Sequence, residues 1–194
     1  MDCTKVGNLI AQLRREKGMT QQQLAERLNI SNKTVSKWEC GLGCPDLALW
    51  PQLSAVLEAD LSRLLQGEMA PNRPDTGRID RTRFYVCPVC GNLLTSTGKA
   101  DVSCCGRPLE ALKPSDSECA VTVEDVDIER YVRFDHPMEK DHYILFAAYV
   151  CDDRVLLVRM YPEQSPAALF PSMRRRGRLY FYCTRHGLQK GPLL

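Results

Sequence analysis

The sequence lacks long apolar runs, has only three histidines and carries almost no net charge. Its 194 residues contain no apolar stretch near the ~18 residues that cross a bilayer, which excludes a membrane-spanning helix. The first residues, Met1 to Val6, lack the apolar core of a secretory signal, so we expect the chain to stay in the cytoplasm. With 26 basic and 24 acidic residues, the net charge of +2 does not identify a partner.

Cysteine, in contrast, is abundant. The chain has ten cysteines, and seven of them follow Phe84 together with all three histidines. Thiols in the cytoplasm are kept reduced, so these cysteines indicate metal binding before disulfides. The apolar fraction of 44% is enough to bury real cores and argues against a mainly disordered chain.

Composition divides the chain into a helical part, a linker and a β-rich remainder. Helical periodicity runs through residues 1–66, whereas residues 67–83 are poor in apolar residues and contain two prolines. After that, short strand-like runs alternate with turn residues. We therefore predict a multi-domain α + β protein with an all-α five-helix domain and a linker, followed by a small metal-bound module at 84–113 and an antiparallel β-sandwich at 114–194.

The helical part has the pattern of a helix-turn-helix. Thr20 and Gln23 form a capping-box pair at the start of a second helix. Asn29-Ile30 then makes a tight turn, and Ser31 caps a third helix from Asn32 to about Glu39. This geometry places a recognition helix in a DNA major groove. A small helical bundle with merely solvated polar residues is the alternative, and apolar periodicity alone is compatible with it.

Residues 20–39 closely resemble the helix-turn-helix domains of the phage Cro and repressor family, and the similarity covers about residues 5–66. Amides and cations at a helix N-terminus suit base acceptors and phosphates. One small domain contacts few phosphates, so we expect a homodimer on double-stranded DNA with a two-fold operator. The resemblance assigns a phosphate contact to Gln21, base edges to Asn32, Lys33 and Lys37, and positions near the DNA backbone to Ser31, Thr34 and Ser36.

Four thiols come from two tight turns, Cys87-Pro88-Val89-Cys90 and Cys104-Cys105. A C-x-x-C turn directs two sulfurs at one ion, and two such elements complete a tetrahedron at roughly 2.3 Å per sulfur. Neighbouring side chains point to opposite sides of an extended backbone, so Cys104 and Cys105 reach one ion only in a distorted turn. The metal is then also expected to drive local folding.

The stretch from Phe84 to Gly106 resembles desulforedoxin, whose single iron has four cysteine ligands at this spacing. The resemblance implies iron at Cys87, Cys90, Cys104 and Cys105. From the residues alone, a structural zinc or a disulfide pair stays open, because a four-sulfur site does not separate iron from zinc.

The three histidines fall into two short motifs, which indicate a second metal site. His136-Pro137-Met138 is followed closely by His142-Tyr143-Ile144, and Cys183-Thr184-Arg185-His186 comes near the end of the chain. Strand-like runs between these motifs predict a sandwich that gathers distant loops at one end. We expect His136, His142, Cys183 and His186 to be ligands.

These motifs resemble those of desulfoferrodoxin and superoxide reductase, a similarity that covers roughly residues 84–190. The resemblance implies a non-haem iron with four histidines and one axial cysteine, which reduces superoxide to hydrogen peroxide. This chain has no fourth histidine. Aligning Ala120–Glu124 with the family's strand puts Cys119 at the first histidine and Glu118 at the lysine that attracts superoxide. Both changes make the site less attractive to an anion.

The altered site leaves several outcomes open. It is an iron site with changed chemistry, a zinc site or an empty pocket, and Cys119 is either a ligand or a redox-active thiol beside the ion. Enzymatic superoxide reduction is therefore an open question.

Two functions compete. One is a DNA-binding transcriptional regulator whose iron-bearing part senses redox, superoxide or metal status; the other is a superoxide reductase with an accessory DNA-binding domain. A third has both metal centres purely structural and dimer-forming. The helix-turn-helix is intact, whereas the metal site lacks a histidine and a lysine, which favours the regulator.

Two minor features carry less weight. The basic run Arg174–Arg176 with Arg178 contacts phosphate or is simply solvated. The remaining cysteines have no partner motif, and we interpret them as ordinary thiols; they are Cys3, Cys40, Cys44 and Cys151.

Overall fold

The structure, a computed structural model, describes most of the chain as two units. The described residues are 1–69, 71–72, 81–117, 119–172 and 176–194. The first unit is Met1–Pro71 and the second is Asn72–Leu194. Among the described residues, the longest helix has 14 residues, and none is long and apolar enough to span a membrane.

Five α-helices and one short 3-10 helix form the first unit. Asp2 caps the first helix, and the predicted capping box at Thr20 and Gln23 is confirmed, with both reciprocal hydrogen bonds present. Ser31 Oγ accepts from the Thr34 N–H at 3.1 Å, so the third helix begins where the sequence predicted. The helices are α1 (Cys3–Glu16), α2 (Gln21–Arg27), α3 (Asn32–Glu39), α4 (Trp50–Leu57) and α5 (Leu61–Gln66), with the 3-10 helix at Leu47–Leu49.

Close packing of α1 on α3 fixes this core. Val35 and Trp38 on the inner side of α3 are buried among residues of the other helices. At Gly7 in α1, an added Cβ would lie 1.8 Å from the Trp38 carbonyl oxygen. The two helix backbones therefore touch, and only glycine fits at the crossing.

Short strands form the second unit. They are β1 (Arg83–Val86), β2 (Leu93–Ser96), β3 (Val102–Cys104), β4 (Arg107–Leu109), β5 (Ser115–Asp116), β6 (Val121–Val126), β7 (Glu129–Phe134), β8 (Ile144–Val150), β9 (Val155–Arg159), β10 (Ala167–Pro171), β11 (Arg178–Cys183) and β12 (Gly187–Leu193). Two hairpins, β1-β2 and β3-β4, make the cysteine module. A five-stranded sheet in the order β5-β12-β11-β8-β9 and a three-stranded sheet in the order β10-β7-β6 make the sandwich.

The central strand β8 explains how these layers are joined. All seven of its residues are buried, because one face meets the three-stranded sheet and the other meets the cysteine module. Phe84 of β1 packs on Phe146 of β8 with ring centroids 5.3 Å apart. Arg159 of β9 also donates a hydrogen bond to the Gly91 carbonyl at 3.0 Å. The module therefore rests on the outer face of the sandwich.

The predicted fold class, a five-helix domain followed by metal-module hairpins and a β-sandwich, is confirmed. One detail differs, because β5 pairs with β12 in parallel, so the larger sheet is not purely antiparallel. Much of the predicted linker at 67–83 lies outside the described residues, as do Arg174 and Arg175.

Candidate DNA-binding surface and metal centres

The outer side of α3 presents the residues expected to contact DNA. Asn32, Lys33 and Lys37 are exposed, while Val35 and Trp38 on the opposite side are buried. A helix fixed in this way offers its polar side as one rigid surface.

Two of the residues expected near the DNA backbone, Ser31 and Thr34, also form hydrogen bonds at the start of α3. Ser31 is exposed, and its hydroxyl lies 2.8 Å from Thr34 Oγ1 while it caps α3. Thr34 and Ser36 are half-buried. The two hydroxyls at the start of α3 therefore form part of its N-terminal cap.

Gln21 has a partner that the sequence did not reveal. Its amide donates a hydrogen bond to Glu39 at 2.8 Å, and Glu39 also accepts two hydrogen bonds from Arg14. Arg14 further donates to the Met19 carbonyl at 2.6 Å. Burial raises the pKa of Glu39, but the hydrogen bonds from Arg14 and Gln21 outweigh it, so the pKa lies below its ordinary value. The network joins the start of α2 to the end of α3.

The interpretation of Cys3 and Cys44 as ordinary thiols is wrong. They form a disulfide, with their Cα atoms 5.1 Å apart across 41 residues of sequence. The packing of α1 beside the segment after α3 brings them together, which no local motif indicates. Cys40 and Cys151 are free thiols, the first exposed and the second buried.

The structure brings the four cysteines of the module into one group. The Sγ atoms of Cys87, Cys90, Cys104 and Cys105 all lie within 4.8 Å of one another. Cys90 and Cys104 are 3.6 Å apart, and Cys104 and Cys105 are 4.0 Å apart. A tetrahedral ion with metal–sulfur bonds of roughly 2.3 Å places its sulfurs roughly 3.8 Å apart, so the donor set fits a metal ion.

The sulfurs of the adjacent cysteines face the same space because the backbone is left-handed at that point. Cys105 has φ +50° and Gly106 has φ +72°, which turns the second side chain back towards the first. This is the distorted turn that the sequence requires. In the first cysteine turn, hydrogen bonds from the Cys90 and Val89 N–H groups lower the pKa of Cys87 to about 6, although burial acts in the opposite direction.

Four negative charges in this space require a cation. Hydrogen bonds between Cys105 and the other three cysteines, Cys90, Cys87 and Cys104, raise the pKa of Cys105 to about 12. The four thiols therefore do not all ionise by themselves. A bound metal would supply the compensating charge.

Loops from three strand ends bring the second ligand group together. His136 follows β7, His142 precedes β8, and Cys183 and His186 flank the β11-β12 turn. Their ligand atoms lie within 4.8 Å of one another. His136 Nε2 is 3.2 Å from Cys183 Sγ, and the three imidazoles meet at ring-centroid distances of 4.7, 4.8 and 5.9 Å.

Hydrogen bonds around this cluster orient it for a metal. His136 Nδ1 lies 2.5 Å from the Pro137 carbonyl, an arrangement that leaves Nε2 as the ligand atom. The Arg185 N–H donates to Cys183 Sγ at 3.3 Å. His142 Nε2 is buried and has no hydrogen-bond partner among the described residues. Because a buried polar atom without a partner is costly, this nitrogen fits a metal ligand.

The described geometry places Cys119 beside this cluster but not in it. Its N–H donates to Ser117 Oγ at 3.0 Å, and its thiol donates to the Asp135 carbonyl at 3.3 Å. Burial and the negative charge of Asp135 raise the pKa of this thiol. Glu118 lies outside the described residues.

Each of the two units resembles known proteins. A family model described as helix-turn-helix (HTH_3) matches residues 10–71. The HTH-type transcriptional activator BcrR of Enterococcus faecalis is 41% identical over 59 residues, covering 30% of this chain and 29% of that protein.

The second unit matches another group of proteins. A desulfoferrodoxin homolog of Archaeoglobus fulgidus is 32% identical over 116 residues, covering 55% of this chain and 93% of that protein. The crystal structure of the superoxide reductase from Treponema pallidum shares the fold, with a TM-score of 0.50, 20% identity, and coverage of 57% of this chain and 98% of that one. Through this unit the chain belongs to the desulfoferrodoxin family, and a helix-turn-helix domain of the Cro and repressor type precedes it.

Proposed function

We propose that this chain is a DNA-binding transcriptional regulator whose second unit senses redox, superoxide or metal status through bound iron. The observation that carries the proposal is the exposed polar side of α3, with Asn32, Lys33 and Lys37 held on a capped helix whose other side is buried. The similarity of the first unit to a transcriptional activator supports the same interpretation.

Iron is the metal that we propose for both ligand groups. Thiolates and imidazoles are ligands that iron accepts. The resemblance of the two motifs to desulforedoxin and desulfoferrodoxin also implies iron. Bound there, iron supplies one-electron redox chemistry. Cys183 and His186 flank the β11-β12 turn, so a change in ligation acts directly on two neighbouring strands.

DNA binding is proposed to require a homodimer. A single recognition helix contacts few phosphates, and two copies on a two-fold operator double the number of contacts. The expected affinity is therefore steeply dependent on salt concentration.

The test measures operator affinity in three states of the full-length protein. The protein is purified without oxygen, its metal content is determined, and a duplex is selected from a random pool. The Kd for that duplex is then measured as isolated, after exposure to superoxide, and after chelation. We expect at least one treatment to change the Kd by about five-fold or more. A single Kd in all three states contradicts sensing.

A charge-matched pair of variants tests the recognition helix independently. Lys33→Ala with Lys37→Ala removes two exposed cations of α3, whereas Lys113→Ala with Lys140→Ala removes two exposed cations of the second unit. Only the first pair should weaken binding and change the sequence preference. Equal effects contradict the assignment of α3.

Superoxide reduction is the second candidate function. The convergence of three imidazoles on Cys183 favours it, because this donor set retains most of the family's ligands. Fast, iron-dependent consumption of superoxide by the unmodified protein would establish the enzyme and contradict a sensing-only role.

A further inference from the structure

The first unit, to which the proposed function assigns DNA binding, contains a disulfide between Cys3 and Cys44. We propose that Cys3 and Cys44 are a reversible thiol–disulfide modification site whose oxidation fixes the segment after the recognition helix. The disulfide joins the first residue of α1 to the chain between α3 and the 3-10 helix. It is distinct from both metal-ligand groups and does not depend on their occupancy.

The contacts around the disulfide connect it directly to α3. The C-terminal end of α3 closes with hydrogen bonds from Gly41 to the Trp38 carbonyl and from Leu42 to the Lys37 carbonyl. Gly41 has φ +71° and faces Thr4, whose Oγ1 would lie 2.9 Å from an added Cβ. The first turn of α1 is thus the surface on which the end of α3 rests.

Beyond Leu42, the disulfide and the buried Pro45 hold the segment. Within the described part of the chain, no backbone–backbone hydrogen bond outside helices and strands involves Gly43, Cys44 or Pro45. The next such hydrogen bond runs from the Leu49 N–H to the Asp46 carbonyl at 2.9 Å. Reduction therefore removes one of the two constraints on a segment that begins where α3 ends.

Neither cysteine is enclosed in the core of the first unit. Cys3 and Cys44 are half-buried, in contrast to Cys151, which is fully buried. A hydroperoxide is the class of oxidant that we propose. One thiolate attacks the peroxide oxygen, giving a sulfenic acid and water from hydrogen peroxide, and the second thiol displaces the hydroxyl to form the disulfide and a second water. A dithiol reverses the reaction by exchange and is itself oxidised.

The disulfide is expected to stabilise the first unit and to preorganise α3. It closes a long loop, which restricts the unfolded chain and should raise the Tm of this unit by on the order of 10 °C. A recognition helix held in one position loses less entropy on binding. Oxidation should therefore tighten binding to the selected duplex by about five-fold.

The experiment uses full-length protein and three serine variants. Wild type, Cys3→Ser, Cys44→Ser and the control Cys40→Ser are reduced with a dithiol, treated with hydrogen peroxide and alkylated. Linked peptides are then identified by mass spectrometry, and hydrogen exchange is measured over α1 and α3. Cys40→Ser is required because trypsin leaves Cys40 and Cys44 in one peptide.

We expect the Cys3–Cys44 linkage in wild type and in Cys40→Ser, and we expect it to be absent from Cys3→Ser and Cys44→Ser. Oxidation should slow exchange over α1 and α3 and tighten duplex binding only where the linkage forms. Peroxide also reaches the metal centres, but Cys3→Ser retains both ligand groups and so controls for that effect. Alkylation of both cysteines after peroxide treatment overturns the proposal. The proposal is also overturned if the linkage forms in wild type but hydrogen exchange and duplex affinity remain equal to those of Cys3→Ser.

Discussion

The guanidinium of Arg14 donates two hydrogen bonds to the carboxylate of Glu39, from Nε at 2.6 Å and from the terminal nitrogen Nη2 at 2.8 Å. The side chains are only 10% and 6% exposed, and they join α1 to the end of α3 across 25 residues. Since the same carboxylate holds Gln21, one ion pair positions two elements of the helix-turn-helix.

Glu39→Gln should lower the free energy of unfolding of the first unit by about 3 kcal/mol, because it leaves Arg14 buried without its counter-charge. Urea unfolding followed on the helical signal measures this loss. Glu26→Gln, on the exposed side of α2, is the matched control and should cost little. Equal losses would contradict a structural role for the pair.

The same pair predicts a pH dependence. The pKa of folded Glu39 is lowered, so its contribution is complete above the unfolded pKa of about 4.3 and is lost as the pH falls through the folded value. The stability difference between wild type and Glu39→Gln should therefore shrink in acid. A difference that is constant from neutral pH to pH 3 would contradict the ion pair.

Cys104→Ser should remove one metal equivalent per chain, because its sulfur is within 4.0 Å of two of the other three. The hairpins β1-β2 and β3-β4 should then exchange amide hydrogen faster, since the metal supplies much of their folding free energy. Elemental analysis and hydrogen exchange measure the two effects. Cys40→Ser, an exposed cysteine outside the group, should change neither. Full metal content in Cys104→Ser would contradict this centre.

The substitution His142→Leu tests whether His142 is a metal ligand or an ordinary buried histidine. In wild type without metal, His142 Nε2 is a buried polar atom without a partner, so leucine should leave the metal-free protein equally or more stable. Adding iron should raise the Tm of wild type more than that of the variant, because both keep the four-cysteine group but only wild type has all four ligands of the second group. Thermal unfolding with and without iron tests both statements. An equal rise in Tm would show that His142 is not a ligand.

Local rules predicted the parts of the fold that depend on neighbouring residues. The capping box at Thr20 needs Gln23 three residues later, and the cap at Ser31 needs only the backbone N–H of Thr34, so the sequence shows both directly. The metal-ligand groups were also predictable, because the chain has only three histidines and its cysteines fall into close motifs.

The contacts that sequence did not predict are set by tertiary packing. Arg14 meets Glu39, and Cys3 meets Cys44, only because α1 crosses the end of α3 at Gly7. No local motif marks either pair. Likewise, the left-handed backbone at Cys105 follows from the need of two adjacent sulfurs to face one ion, although glycine or asparagine is the usual residue there.

Cys119→His tests whether the second centre is an impaired version of the family's site. The thiol lies beside the cluster and is held by the Asp135 carbonyl, so an imidazole there would lie near the other three. Combined with Glu118→Lys, it should raise iron-dependent superoxide consumption, because it adds a neutral ligand and replaces a negative charge with a positive one. Cys119→Ser, which removes the thiol without adding an imidazole, is the control and should not raise the rate. Stopped-flow measurement of superoxide decay with iron-loaded protein gives the comparison. A rate in the double variant no higher than in Cys119→Ser would show that Cys119 is not at the missing ligand position.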